Sequence, residues 1–317
     1  MRTRLIGVIC CVLLVILASY APGQDSKGVK IGDLRAMLKD ADAEIRKKGA
    51  DGLAENYKNA LPAVNDLIET LEKDNEPAVR IAAANSLRSI FWEGRVDPKG
   101  TKTIAALVKA MRQDKDALVR YMACQSLDHI GPKAHAAAVD LFEVMNADDD
   151  PFLRKLAQHA LPQVASRACE GLLSKLIELH KSGPEDWTTQ FAVLECMGKV
   201  SGGDEETLTL LKAALREKKP RHRMSREGAA YALGRMGASA KSAVPMLVDS
   251  INETKNGKER ESGSLLLFAI QALRDIGPTS VEALPTLKGI AGDSAMTETI
   301  RRAAMQAVYA IEKPSRK

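Results

Sequence analysis

The chain has 317 residues, of which 45% are hydrophobic, 27% charged and 4% aromatic. Such an apolar content is ordinary for a folded protein, but the shortage of aromatic residues suits thin layers of closely packed helices better than one large core. The net charge of +5 arises from 46 basic and 41 acidic residues interspersed along the chain, a mixed surface that lacks the strong basic footprint of a nucleic-acid binder.

Met1-Arg2-Thr3-Arg4 is a basic start, Leu5 to Ala18 is an apolar run of fourteen residues, and Ser19 to Gln24 is a small, turn-prone flank. Charge, length and flank are those of a secretory signal peptide. Cleavage is expected after Gly23, with Ala21 and Gly23 as the small residues, because Pro22 argues against cleavage after Ala21. Fourteen residues are short against the roughly 20 needed to span a bilayer. The expectation is export to a periplasmic or extracellular space, with no stable membrane span after cleavage; an uncleaved membrane anchor is the alternative. Ile9 before Cys10 disfavours a lipoprotein. Cys124, Cys169 and Cys196 then remain, and their irregular spacing is no disulfide framework. They read as buried small hydrophobes, with a Cys169–Cys196 pair as the alternative in an oxidising compartment.

The expected organisation is a signal peptide over 1–23, a linker over 24–32, a repeat region over 33–313 and a tail over 314–317. One phrase recurs through the repeat region: an Asp, an Arg six residues on, and apolar or small residues on one helical face. It begins as Asp40, Ile45-Arg46, Gly49 and Leu53. It continues as Asp74, Val79-Arg80, Ala83, Leu87 and Ile90, then as Asp114, Val119-Arg120, Ala123, Leu127 and Ile130. The fourth copy is Asp148, Leu153-Arg154, Ala157, Leu161 and Val164. Later copies keep the apolar register and lose the Asp: Thr189, Val193, Met197, Val200; Ser225-Arg226, Ala229, Leu233, Met236; Leu265, Ala269, Leu273, Ile276; and Ile300-Arg301, Ala304, Val308, Ile311. Successive copies lie 34 to 40 residues apart, the period of a helical solenoid. Offsets of 0, +4, +8 and +11 fall within about 80° of a helix circumference, an amphipathic stripe.

A second apolar helical pattern precedes each phrase, as in Leu67-Ile68…Leu71, Ile104…Leu107-Val108…Met111 and Leu247-Val248…Ile251. Each unit is thus an antiparallel helix pair. Gly131-Pro132, Gly237-Ala238 and Gly277-Pro278 stop the second helices, where glycine takes a left-handed cap conformation. Pro62, Pro245 and Pro285 stand early in first helices and predict a bend or restart there. Asp150-Pro151 predicts an N-cap followed by proline at the first helical position.

These phrases resemble the HEAT-repeat family, in particular its short bacterial form, which is related to the HEAT-like group of phycobilisome lyases. Gly277-Pro278…Ala283-Leu284-Pro285-x-Leu287 carries the first half of the family pattern, and Asp74…Val79-Arg80-x-x-Ala83-Ala84-x-x-Leu87 the second. The resemblance covers about residues 33 to 313. It implies an all-α, right-handed alpha-alpha superhelix, a HEAT/armadillo-like solenoid of about eight antiparallel helix pairs. Pro184-Glu185-Asp186-Trp187, Lys218-Lys219-Pro220 and Asn256-Gly257-Lys258 depart from the family's turn.

The Asp–Arg pairs read as a structural ladder: Asp40 and Arg46, Asp74 and Arg80, Asp114 and Arg120, Asp148 and Arg154. Each Asp is expected to cap the second helix, and each Arg to bridge to the neighbouring repeat's Asp. A row of ligand-binding arginines is the alternative. No catalytic or metal-binding motif stands out. None of the five histidines is followed by Glu, and there is no Cys-x-x-Cys, phosphate loop or nucleophile elbow. No cofactor or metal is expected. Asp148-Asp149-Asp150 reads as a solvated helix start rather than a Ca²⁺ site. Asn252-Glu253-Thr254 forms a lone glycosylation sequon.

Opposite the apolar stripe lie offsets +2, +6 and +9. The +6 series is Asp51, Asn85, Gln125, His159, Glu195, Tyr231, Gln271 and Gln306, every member polar or amphipathic; Tyr121 and Asp128 flank Gln125. The family resemblance implies a concave surface here, and ordinary solvation of a helix face is the bland alternative. Arg221 and Arg223, in the densest basic cluster, are candidates for an acidic partner or membrane surface. Trp92 and Trp187 are expected to cap core edges. The function expected is a non-enzymatic scaffold for a protein or peptide partner, with no nucleic acid involved. A HEAT-like lyase or hydroxylase and a purely structural envelope module are the competing readings.

Overall fold

The computed structural model describes residues 29–57, 59–92, 100–184, 186–217, 223–255 and 263–313. The signal peptide over 1–23, most of the expected linker, the tail over 314–317 and Arg221 lie outside them, as do the side chains of Arg223 and Trp92. Among the described residues every regular element is helical and no strand occurs. The chain forms two compact units, Met1–Ile130 and Gly131–Lys317.

The first unit contains three helix pairs among its described residues: α1 (Ile31–Met37) with α2 (Ala43–Glu55), α3 (Val64–Lys73) with α4 (Pro77–Trp92), and α5 (Gly100–Gln113) with α6 (Ala117–Ile130). The second contains five: α7 (Ala138–Ala147) with α8 (Pro151–Val164), α9 (Leu172–Ser182) with α10 (Trp187–Val200), α11 (Glu205–Arg216) with α12 (Arg223–Met236), α13 (Val244–Lys255) with α14 (Gly263–Ile276), and α15 (Leu284–Ala291) with α16 (Glu298–Glu312). Within each unit, every second helix packs against its own first helix and against the second helices on either side.

The predicted stripe is the seam of each pair. Val79, Ala83, Leu87 and Ile90 are buried on α4, and Val119, Ala123, Leu127 and Ile130 on α6; Leu153, Ala157, Leu161 and Val164 are buried on α8. Burying each such Leu or Ile contributes about 1.5–3 kcal/mol. Ile45, Thr189 and Val308 are only half-buried members of the pattern. Gly131, Gly237 and Gly277 have φ of 65°, 61° and 73°, the left-handed conformation expected where a second helix stops.

The prolines restart helices rather than bend them. Pro62 lies in a 3-10 turn, Leu61–Ala63, that leads into α3. Pro245 and Pro285 are the second residues of α13 and α15, each preceded by a 3-10 stretch containing one non-helical residue, Ala240 and Ser280. Proline costs nothing there, since the first N–H groups of a helix have no partner inside it. Asp150 caps α8 by accepting from the Phe152 and Leu153 N–H groups.

At the turns, Arg46 donates Nε and Nη2 to the two carboxylate oxygens of Asp74, at 2.7 and 2.9 Å. Arg80 does the same with Asp114, at 2.8 and 2.7 Å. The third arm of each guanidinium turns back to its own repeat: Arg46 Nη1 donates to the Asp40 and Ala41 carbonyls, and Arg80 Nη1 to those of Asp74 and Asn75. Each Arg therefore ties the turn of its own repeat to an acid of the next. Arg120 Nε donates to the Met111 carbonyl and Arg154 Nη1 to that of Asp148.

The expected capping role is displaced. Asp40, Asp74, Asp114 and Asp148 accept the N–H two residues on, and Asp74 and Asp148 stand at the C-caps of first helices. The caps of the second helices fall two residues later, on Asp42, Asp116 and Asp150. A turn that needs both an Asx bend and a helix cap uses two acids, which is why these turns are Asp-rich. Where the repeating Asp is lost, other residues bridge. Lys155 Nζ lies 2.6 Å from Asp186, the N-cap of α10, and Arg226 Nη2 lies 3.1 Å from Glu253 on α13.

Within each unit, neighbouring second helices approach closely through small residues at offset +7: Ser86, Ser126, Cys196, Ala232, Ala272 and Ala307, all buried. Ser86 Oγ donates to the Ala50 carbonyl at 2.6 Å, one repeat back, and Ser126 Oγ reaches that of Ala84 at 3.2 Å. We expect Ser86→Ala to lower stability by about 1 kcal/mol through the lost hydrogen bond, and Ser86→Leu by up to about 3 kcal/mol through overpacking. Urea unfolding of the two variants against wild type checks the order.

Candidate functional site

Packing on three sides leaves offset +6 of each second helix open, but not the whole predicted strip: Ala54, Pro162, Gly198 and Gly234 at offset +9 and Glu227 at offset +2 are buried. No member of the +6 series is buried. Asp51, Asn85 and Gln125 are half-buried in the first unit, as are Tyr121 and Asp128; in the second unit His159 and Gln306 are exposed, and Glu195, Tyr231 and Gln271 half-buried. These side chains are tied locally. Asp51 lies 3.4 Å from Lys47, and Asn85 accepts from Arg88 Nη2. Burial pushes the Asp51 carboxyl upward, with the Lys47 charge acting against it. Glu195 pairs with Lys199 at 2.9 Å, and Lys199 Nζ also reaches the Pro162 carbonyl. That ion pair is 14% and 15% exposed on its two side chains, so it braces the face rather than extending from it.

The concentrated feature of the second unit's face is aromatic. Phe191 on α10, Tyr231 on α12 and Phe268 on α14 form a triangle, with ring centroids 6.1, 6.0 and 5.8 Å apart. All three are half-buried. The whole chain has five Phe and five Tyr, so three converging on one free face is a marked local enrichment. A Cβ at Gly228 would meet Leu194 Cδ1 at 3.2 Å and Phe191 Cδ2 at 3.3 Å; the bare backbone of α12 makes room for the Phe191 ring. Burial, and then the Glu195 charge, push the Tyr231 phenol upward, so it stays a neutral hydrogen-bonding group. Tyr231 stood in the +6 series, but Phe191 and Phe268 were missed. Their offsets, +2 and +3, are the signal, yet nothing within one helix shows that three rings from three helices meet.

Trp187 does not cap a core edge. It is the first residue of α10 and is 53% exposed. Cys169 and Cys196 are buried and unbridged, as is Cys124, and burial raises the Cys124 and Cys196 thiols. Among the described residues no group of three or more His, Cys, Asp or Glu side chains is placed to hold a metal ion, and no helix is long and apolar enough to cross a membrane.

Paired helices stacked through their second members, with an acid–arginine ladder at the turns, define an all-α helical-repeat protein. Residues 66–162 match the family model of HEAT repeats. Similar solved structures include the complex of CpcE and CpcF of phycocyanin lyase from Nostoc, 16% identical over 92% of this chain and 98% of that one, with a TM-score of 0.40. YibA from Escherichia coli is 17% identical over 91% of this chain and 94% of that one, with a TM-score of 0.45. No curated protein matches the chain.

Proposed function

We propose that this HEAT-repeat chain is an exported, non-enzymatic scaffold that binds a protein or peptide across the second-helix face of its C-terminal unit. The aromatic triangle of Phe191, Tyr231 and Phe268 is the observation that supports this reading. Large, rigid rings with part of their surface in water give contact area at little entropic cost, which is why aromatic residues dominate binding hot spots. Around them Gln271 and the Glu195–Lys199 pair supply a polar rim, the usual surround of such a patch. The basic, apolar and small segments within residues 1–23 support export to a periplasmic or extracellular space.

The test is affinity capture with residues 24–317 from the envelope extract of the source cell. Phe191→Ser, Tyr231→Ser and Phe268→Ser together are expected to lower affinity for the captured polypeptide at least tenfold while far-UV circular dichroism stays unchanged. Charge reversal at Gln125, His159 and Glu195 tests the polar strips in the same assay. Retention of every partner by both variants would overturn the reading. Fusion of residues 1–23 to a reporter active only outside the cytoplasm checks export.

A further inference from the structure

Each second helix presents a forward edge, offsets +1, +5 and +9, to the repeat that follows. Contacts within each unit fix the direction. Arg46 and Arg80, at offset +1, reach the next repeat's acid. The Ala50 and Ala84 carbonyls, at offset +5, accept from Ser86 and Ser126 of the next repeat. A Cβ on Gly198 or Gly234, at offset +9, would meet the Ala232 or Ala272 backbone. Offset +5 is buried on every second helix from α2 to α14, as at Ala84, Leu194, Ala230 and Ile270.

On α16, the last described helix, the same edge is uncovered. It consists of Arg301, Met305 and Tyr309. Met305 is 54% exposed and Tyr309 65% exposed, with Lys313 Nζ 5.8 Å from the Tyr309 ring centroid. A terminal repeat ordinarily turns a polar face outward; this one shows a thioether and a phenol ring one turn apart. Arg301 follows the first stripe residue, as Arg80 does on α4, yet its side chain has no hydrogen bond or ion pair among the described residues. Its Nε is buried without a partner, which leaves the two terminal amino groups as the outward donors of this half-buried side chain. The first described repeat carries the complement. Asp40 accepts the Asp42 N–H as Asp74 accepts that of Glu76, so it holds the ladder station of its turn. Elsewhere that station is met by a base of the preceding repeat: Asp74 by Arg46, Asp114 by Arg80 and Asp293 by Lys255. The Asp40 carboxylate is exposed and meets no base among the described residues.

We propose that a second copy of this chain docks head to tail on the forward edge of α16. Arg301 of one copy then forks onto Asp40 of the next, and Met305 and Tyr309 are covered as offsets +5 and +9 are inside each unit. The contact continues, from copy to copy, the stacking and the acid–arginine ladder that each unit already uses. It is heterologous, one surface meeting a different one, so each copy keeps an unused end until an array closes. The aromatic triangle takes no part in it.

Sedimentation velocity of residues 24–317 is the test. The average mass is expected to rise with concentration between about 1 and 100 µM and to fall back with added salt. Arg301→Glu and Asp40→Arg are each expected to hold the protein monomeric with thermal midpoints unchanged, since neither side chain has an ion-pair partner to lose. Mixed in equal amounts, the two variants are expected to associate again, because every contact in an alternating array then joins opposite charges. Met305→Ser with Tyr309→Ser is expected to weaken association at least tenfold. Asp40→Arg alters an exposed turn and keeps the proposal testable whatever Arg301→Glu does to folding. A wild type that stays monomeric, association that survives both charge reversals, or a mixture that does not reassociate would overturn the proposal. So would loss on Arg301→Glu but not on Asp40→Arg, since two copies of the same edge would then be meeting. Association that appears only after removal of residues 314–317 would overturn it too, because the edge would be occupied by the chain's own tail.

Discussion

Asp114→Ala is expected to destabilise the N-terminal unit by about 3 kcal/mol, the lower end of the range for breaking a buried ion pair. The Arg80 side chain is 5% exposed and that of Asp114 is 9% exposed. Removing the carboxylate strips Arg80 of both fork bonds and leaves a guanidinium held out of water by the Asp74 and Asn75 carbonyls alone. Arg35–Asp66 provides the control. The Arg35 side chain there is 43% exposed, and Asp66→Ala should cost no more than about 1 kcal/mol. Replacing both partners, Arg80→Met with Asp114→Leu, should recover most of the loss, because an apolar pair carries no desolvation cost. Urea unfolding followed by far-UV circular dichroism measures all three. A loss at Asp114 no larger than that at Asp66 would mean that the ladder sets register without contributing stability.

The same pair makes a statement about pH. Burial pushes the Asp114 carboxyl upward, but the Arg80 hydrogen bonds, the Asp116 N–H and nearby positive charge outweigh it and hold the group below its ordinary value. Asp74 is lowered in the same way, by Arg46 and the Glu76 N–H against burial. A carboxyl depressed in the folded state stabilises above its unfolded pKa, about 3.9, and that contribution disappears as pH falls through the folded value. The wild-type urea midpoint should therefore hold between pH 7 and 5 and drop below about pH 4. Asp114→Ala should show a shallower drop over the acid window.

Gly198→Ala is the second large effect, and its sign runs against helix propensity. Alanine in a helix interior is ordinarily favoured over glycine by about 1 kcal/mol. At Gly198 the added Cβ would lie 2.4 Å from the Ala232 carbonyl oxygen and 2.7 Å from the Ala232 Cα. Those are main-chain atoms of α12, so relief requires α10 and α12 to separate along their whole contact. Overpacking of this kind costs about 1–3 kcal/mol, and a net loss of about 2 kcal/mol is expected. Gly234→Ala meets the Ala272 Cα at 2.9 Å and should lose less. Gly289 lies in α15, where an added Cβ would find nothing within 4 Å, and Gly289→Ala should gain up to about 1 kcal/mol. Thermal midpoints of the three decide the matter; a Gly198→Ala protein as stable as Gly289→Ala would refute the close-packing account.

The residues that could be read from sequence are those whose role is settled within one helix or one turn. Val119, Ala123, Leu127 and Ile130 declare a stripe because the α-helical period is local, and Gly131 and Pro285 declare a stop and a restart because φ and the missing N–H are properties of single residues. Free-face residues such as Tyr231 follow from the same geometry by subtraction. The chain's own order thus determined the helix pairs, their seams and the polar strip.

Everything that depends on how one repeat sits upon the next was decided by tertiary structure. Lys155 finds Asp186 and Arg226 finds Glu253 at separations of 31 and 27 residues, unlike the 28 and 34 that join Arg46 to Asp74 and Arg80 to Asp114. No fixed spacing announces such pairs, because turn lengths vary from repeat to repeat. The meeting of Phe191, Tyr231 and Phe268, and that of Gly198 with Ala232, goes unannounced for the same reason.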